Sequence, residues 1–311
     1  MVKFKGFWQL VRWPNLLIIA LVVVLIRYFI IIPLGADFHL SNLFFILYIF
    51  STLAVAASGY IINDIFDQNV DIINKPAKRV VGTIFSENQC WQMVLIANIL
   101  AVAGFYFLSR EARYSQLWYI PVLVTILLYF YSSYLKKLPL AGNLLISFFT
   151  ALPILLIPVF DLLPAATNGN AVLTKKIIEA IAAYALFAGY SNFIREVIKD
   201  AQDYEGDNAH GFNTLPIIMG LRSVRWLIIG LLLLLLLSTS YFSYILLTAN
   251  DYISALYVSL LVAAPQLWIM VQVFKARQPR DFKQPSMLLK IVMLTGILSM
   301  VVFTLSLKAM G

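Results

Sequence analysis

The amino-acid sequence predicts an all-α fold: a polytopic membrane helical bundle of about nine transmembrane helices. Of the 311 residues, 61% are hydrophobic and only 12% charged, with a mean hydropathy of +0.87, a balance that no ordinary soluble domain shows. Apolar windows of about 20 residues, enough to cross roughly 30 Å of hydrocarbon, recur along the chain. Lys and Arg gather in alternate short loops, as they do where positive segments stay in the cytoplasm.

The spans follow in order. The first, 14–34, comes after Arg12-x-Pro14-Asn15 and contains Arg27, whose side chain is expected to snorkel to the outer interface. The second, 41–62, runs into an acidic stretch, and the third, 90–109, starts at the lone cysteine, Cys90. That single thiol excludes an intrachain disulfide and argues against a cysteine zinc site. The fourth, 116–134, ends before Lys136 and Lys137, and the fifth is 143–160. The sixth, 177–198, runs into a second acidic stretch; the seventh, eighth and ninth are 224–247, 252–274 and 287–308. Residues 231–237, a run of Leu, read as lipid-facing surface. Met-Val-Lys-Phe-Lys and a full-length span with no small-residue cleavage site read as a retained first helix. One membrane domain, 1–311, is expected.

Orientation follows from the charges. With the N-terminus inside, all but Arg27, Arg110, Arg113, Lys175, Lys176 and Lys308 of the 23 Lys and Arg fall on the cytoplasmic side. The C-terminus is then outside, and both acidic stretches end even-numbered spans at the cytoplasmic face. The net charge of +8 is spread over short loops without a basic tail or stacked-aromatic motif, so it reads as membrane topology and not as nucleic-acid binding. An integral protein of a prokaryotic inner membrane is the expected location.

The two acidic stretches carry one spacing. Asn63-Asp64-x-x-Asp67-x-x-x-Asp71 and Lys199-Asp200-x-x-Asp203-x-x-x-Asp207 share D-x-x-D-x-x-x-D, and with Glu196 and Glu205 they hold 8 of the 15 acidic residues. On an α-helix each Asp triplet lies within a sector of about 60°. Stacked like charges destabilise a bare helix, so a compensating cation is expected. Oxygen clusters suit a hard divalent ion, and Mg²⁺ takes one or two carboxylates while leaving room for water and phosphate. Two facing clusters would hold two or more ions around a diphosphate and make it a good leaving group. Lys75, Arg79, Lys136, Arg195 and Lys199 stand near the clusters as candidates for the diphosphate oxygens. A diphosphate at the membrane edge suggests a polyprenyl tail, and aromatic faces stabilise an allylic cation without offering a base. Facing carboxylates with scattered Lys also suit a cation-coupled transporter, whose acids belong nearer the bilayer midplane. His39 and His210 are too far apart in sequence to suggest a metal site, and Gly206 and Gly211 are expected to permit the turn after the second motif, with the loop to Pro216 as a lid.

These residues resemble the UbiA family of intramembrane prenyltransferases. The resemblance rests on the two motifs in order, on Asn74-Lys75-Pro76-x-x-Arg79, on Tyr190 through Asp207, and on Arg12-x-Pro14-Asn15, Tyr131-Ser132-x-x-Leu135-Lys136 and Gly142-Asn143. It implies a bundle around a large central cavity and Mg²⁺-dependent transfer of a prenyl group from its diphosphate to a lipophilic or aromatic acceptor. Asn63, Asp67, Asp71, Asp203 and Asp207 resemble the metal-binding positions, with Asp64 and Asp200 as supporting or alternative ligands. Lys136, Lys199, Arg79, Lys75 and Arg195 would hold the diphosphate, and Asp67, Asp71, Lys199, Asp203 and Asp207 would carry the catalysis. Arg12, Asn15, Tyr131 and Tyr190 would line the cavity. Arg195 through Asp207 looks like the branch of geranylgeranylglycerol-phosphate geranylgeranyltransferases and chlorophyll synthases; an aromatic-acid acceptor of quinone biosynthesis is the alternative.

Overall fold

The computed structural model describes residues 2–74, 79–167 and 169–310, apart from the side chains of Ile73, Asn74 and Met310. Lys75 and Lys78 therefore lie outside the described residues. Within these, regular structure is helical save for one isolated bridge between Val81 and Phe85.

The helices are α1 (Val2–Leu10), α2 (Trp13–Ile26), α3 (Asn42–Phe66), α4 (Val70–Asn74), α5 (Glu87–Glu111), α6 (Ile120–Ser133) and α7 (Ala141–Ile157). They continue as α8 (Ala171–Gln202), α9 (Tyr204–Ala209), α10 (Leu215–Thr248), α11 (Tyr252–Tyr257), α12 (Ala264–Lys275) and α13 (Lys283–Met310). Eight helical stretches among the described residues are long and apolar enough to cross a membrane: Trp13–Ile31, Asn42–Phe66, Glu87–Glu111, Ser115–Ser133, Ala141–Ala165, Leu215–Thr248, Tyr252–Lys275 and Pro279–Ala309. With α8, whose 32 residues contain the expected sixth span, the count agrees with about nine. The protein is an all-helical integral membrane protein.

The chain forms two compact units. One comprises Met1–Val24, Ala36–Lys136 and Pro153–Ile178; the other comprises Leu25–Gly35, Lys137–Leu152 and Glu179–Gly311.

In the first unit, α3 starts at Ser41, whose hydroxyl accepts from Phe44 N, and α5 starts with a capping box between Ser86 and Gln89. Helices α3 and α5 approach closely because Gly104 presents no side chain to Ser51. At the end of α3, Ile61, Ile62 and Ile65 pack with Leu10 and Val11 of the N-terminal segment, with Val80, Val81 and Phe85, and with Cys90 and Val94 of α5. This apolar cluster fixes the helix end that carries the first acidic motif.

The second unit has a matching cluster. Ile194, Val197, Ile198 and Ala201 of α8 pack with Val224 and Ile228 of α10, Ile269 and Val273 of α12, and Phe282. Gly189 lets α8 approach the Ser147 backbone of α7.

Two expectations change. Arg27 does not snorkel: it is fully buried, at the start of a π-helical turn over Arg27–Ile31. Thr304 of α13 donates to the Phe29 carbonyl, so this turn is packed inside the second unit and not turned to the interface. The seventh span, expected from 224, belongs to a helix starting at Leu215 that is broken at Gly220, where φ is 77° and ψ 152°. A side chain would be strained in that conformation.

Candidate functional site

Both acidic motifs sit at the C-terminal end of a long helix, where the helix dipole is negative and added carboxylates are unfavourable. Both also leave the α-helix at their middle aspartate. Asp67 follows α3 with φ −89° and ψ 0°, and Asp203 follows α8 with φ −90° and ψ 10°. The helical hydrogen-bond step nonetheless continues through the break. Asp67 N donates to Asn63 O at 2.9 Å and Asp71 N to Asp67 O at 2.8 Å. Asp203 N donates to Lys199 O at 2.8 Å and Asp207 N to Asp203 O at 3.1 Å. The expected single helical face is thus a long helix, a bend and a short helix (α4 or α9) in each case.

In the first motif, Asp64 Oδ1 accepts from Arg12 Nη2 at 2.7 Å, and the Arg12 guanidinium lies 5.0 Å from the Tyr60 ring centroid. Arg12 reaches this point from a left-handed residue (φ 50°) that separates α1 from α2. Asp67 is held at both oxygens: Lys136 Nζ stands 2.5 Å from Oδ1, and Asn63 Nδ2 donates to Oδ2 at 2.7 Å. Asp71 opens α4 half-buried.

In the second motif, Glu196 accepts from Lys199 Nζ at 2.8 Å and from Arg195 Nη1 at 3.1 Å. Asn143 Nδ2 of α7 donates to Asp200 Oδ2 at 2.8 Å. Just beyond the expected 177–198 span, burial pushes the Asp200 carboxyl well above the usual range, the Asn143 amide opposes this, and Glu196 and Asp207 add to it. Asp207 is buried within α9, and the loop after it is tethered, because Asn213 N donates to Lys137 O at 2.8 Å and Lys137 lies 5.6 Å from the Phe212 ring centroid. His210 Nδ1 pairs with the Gly206 carbonyl, and His39 Nε2 pairs with the Glu111 carbonyl. Gly211 takes the left-handed turn (φ 67°), whereas Gly206 lies inside α9.

The structure pairs Arg12 with Asp64, joins Asn63, Asp67 and Lys136 in one network, and joins Arg195, Glu196 and Lys199 in another. Tyr131 lies half-buried on α6, and Asn15 stands in the first turn of α2 with its N–H on the Arg12 carbonyl at 2.8 Å. Tyr190 donates to the Leu231 carbonyl at 3.1 Å, which makes it a brace between α8 and α10. Glu196, Asn143 on Asp200 and Tyr60 beside Arg12 contact motif residues or their partners although sequence reasoning gave them no site role. Glu196 was visible one turn before Asp200 and Asn143 in Gly142-Asn143, whereas Tyr60 is placed by packing.

Among the described residues no group of three or more His, Cys, Asp and Glu side chains is gathered to hold a metal ion. The donors fit Mg²⁺ in kind, being hard oxygens that are bound by nitrogen cations and amides in the networks described. Arg79 Nε in the first unit and Arg195 Nε in the second are buried donors with no acceptor among the described residues.

Fold and site together define a helical integral membrane protein with two aspartate-rich segments, each flanked by bases. The UbiA prenyltransferase family model matches residues 16–294, and the chain belongs to that family. Curated relatives include the digeranylgeranylglyceryl phosphate synthases of Saccharolobus solfataricus, 31% identical over 186 residues, and of Thermococcus sibiricus, 32% identical over 224 residues. The first match spans 60% of either chain and the second 71% of either. Among solved structures, one described as a digeranylgeranylglyceryl phosphate synthase in membranes is 23% identical with a TM-score of 0.66, covering 97% of this chain and 99% of that one. A UbiA homologue from Archaeoglobus fulgidus bound to DMAPP and Mg²⁺ is 16% identical with a TM-score of 0.54, covering 96% of this chain and 99% of that one. These two likenesses concern the fold.

Proposed function

We propose that this chain transfers a geranylgeranyl group from its diphosphate to the hydroxyl of geranylgeranylglycerol phosphate, within the membrane and with Mg²⁺. The observation that carries this reading is the repeated D-x-x-D-x-x-x-D at two helix ends, with Arg12 and Lys136 at hydrogen-bonding distance from Asp64 and Asp67 of the first and Lys199 at that distance from Glu196, one turn before the second. Family membership and the names of the curated relatives support it.

Asn63, Asp67 and Asp71 hold metal in the first segment and Asp203 and Asp207 in the second, with Asp64 and Asp200 in support. Two or more Mg²⁺ ions would neutralise the diphosphate and make it a better leaving group. Arg79, Lys136, Arg195 and Lys199 hold its oxygens, together with Lys75. The allylic C–O bond breaks, the electron pair leaves with diphosphate, and the acceptor hydroxyl oxygen forms the new C–O bond at the allylic carbon. The hydroxyl proton passes to a carboxylate or to the released diphosphate. Placement of Lys and Arg supports a cytoplasmic N-terminus and site mouth with the C-terminus outside, and we read the chain as a single working domain in a prokaryotic inner membrane.

The test is turnover of geranylgeranyl diphosphate by the purified chain with Mg²⁺ and a panel of glycerol phosphate lipids and aromatic acids. We expect an ether-linked product and diphosphate release, reduced about 10²- to 10³-fold by Asp67→Ala and by Asp203→Ala. Product from aromatic acids alone would replace the acceptor. No product, with unaltered donor binding in both variants, would sink the reading.

A further inference from the structure

Both oxygens of Asp67 are already engaged. Its Oδ1 carries the Lys136 ammonium at 2.5 Å and its Oδ2 the Asn63 amide N–H at 2.7 Å. The pair is well shielded, with side-chain exposures of 10% for Lys136 and 18% for Asp67. A divalent cation and an ammonium repel each other on one carboxylate, so Lys136 opposes metal binding at Asp67 for as long as it stays there. An ammonium this shielded regains little water when it is displaced, and breaking a buried pair is costly unless the freed charge finds another partner. A diphosphate oxygen is such a partner, and Lys136 needs only to exchange one anionic oxygen for another. Asn63 behaves in the same sense. Its N–H₂ now serves Asp67, and rotation of the amide would present its oxygen instead.

We infer that Lys136 is the resident counter-ion of the first acidic motif and obstructs metal there until a diphosphate draws it off, so that metal and prenyl diphosphate bind as a linked pair. This rests on the reading of the first motif as a metal and diphosphate site. By linkage, the donor raises metal affinity and metal raises donor affinity by one and the same factor. A lone metal is held weakly, which keeps the site uncommitted in the absence of donor.

The test uses the full chain in detergent with Mn²⁺ as the probe, following loss of the free-ion electron paramagnetic resonance signal. It is made with and without geranylgeranyl diphosphate and in the absence of acceptor. The wild-type chain is expected to bind Mn²⁺ at least about tenfold more tightly with the donor present. Lys136→Gln is expected to bind Mn²⁺ alone about tenfold more tightly than wild type and to lose most of the donor's effect. Lys136→Arg, which keeps a cation on Asp67, should bind Mn²⁺ alone as weakly as wild type. Equal Mn²⁺ affinity in wild type and Lys136→Gln without donor would overturn the inference while leaving the metal site standing. So would wild-type binding that ignores the donor, a result that needs no variant. No Mn²⁺ uptake by any of the three, donor present, would remove the metal site itself.

Discussion

The two acidic motifs have the same spacing and bend at the same aspartate, yet their charges are balanced differently. In the first, the cations come from distant chain: Arg12 is 52 residues from Asp64 and Lys136 is 69 from Asp67. In the second, Glu196 takes its cations from its own helix, from Arg195 beside it and from Lys199 one turn on, while the partner brought from afar, Asn143, is a neutral amide. Aligned on the repeat, Asn63 of the first stands where Lys199 stands in the second, and Tyr60 where Glu196 stands. One spacing therefore specifies the backbone path, and tertiary neighbours specify the electrostatics. The first motif draws its cations from two distant chain segments, whereas Glu196, one turn before the second, is paired with cations of its own helix.

The comparison is sharpened most by its apolar side, where the motifs should respond alike. Ile62 and Ile198 are almost fully buried behind them, so Ile62→Ala and Ile198→Ala should each destabilise by about 2–5 kcal/mol in thermal unfolding of the detergent-solubilised chain. If one variant falls well outside that range while the other stays within it, the two clusters do not serve the same purpose. The next effect is particular to the second motif. Asn143→Leu withdraws the amide from the half-buried Asp200 and should cost about 1 kcal/mol, read as a lowered unfolding temperature. An unchanged midpoint would mean that Asp200 does not rely on Asn143. The ion pairs rank last. Arg12→Gln should cost about 1 kcal/mol at low salt, since Arg12 is one-third exposed, and Arg195→Gln about 0.5 kcal/mol or less. Equal losses at low and high salt would contradict the electrostatic origin assigned to both.

Much of this was legible in the sequence, for identifiable reasons. The spans declare themselves because a membrane demands long apolar runs; Glu87–Glu111 and Tyr252–Lys275 lie close to the expected 90–109 and 252–274. The start of α10 was missed by nine residues because Gly220 breaks it without ending it. The aspartate repeat was plain, but the bends at Asp67 and Asp203 were not, since D-x-x-D-x-x-x-D is compatible with an unbroken helix. Lys136 was picked out as a cation suited to a diphosphate, and Arg12, through the resemblance, as a cavity residue. Their attachment to Asp64 and Asp67 depends on long-range packing, on which local spacing is silent. Arg27 shows the same limit from the other side, because burial against α13 cannot be read from a charge inside an apolar run.

The interleaving of the two units bears on how the protein is made. All three segments of the first unit lie within residues 1–178, whereas the second draws on Leu25–Gly35, Lys137–Leu152 and everything from Glu179 onward. A ribosome therefore delivers the first unit, with Asp64, Asp67, Arg12 and Lys136, before α8 has been fully synthesised. The early-made segments of the second unit must wait in the membrane for their partners. A chain split after Ile178 would give an N-terminal fragment with its whole unit and a C-terminal fragment lacking Asn143, so co-expression of the halves, and not either half alone, is the form in which a divided enzyme would regain the support of Asp200.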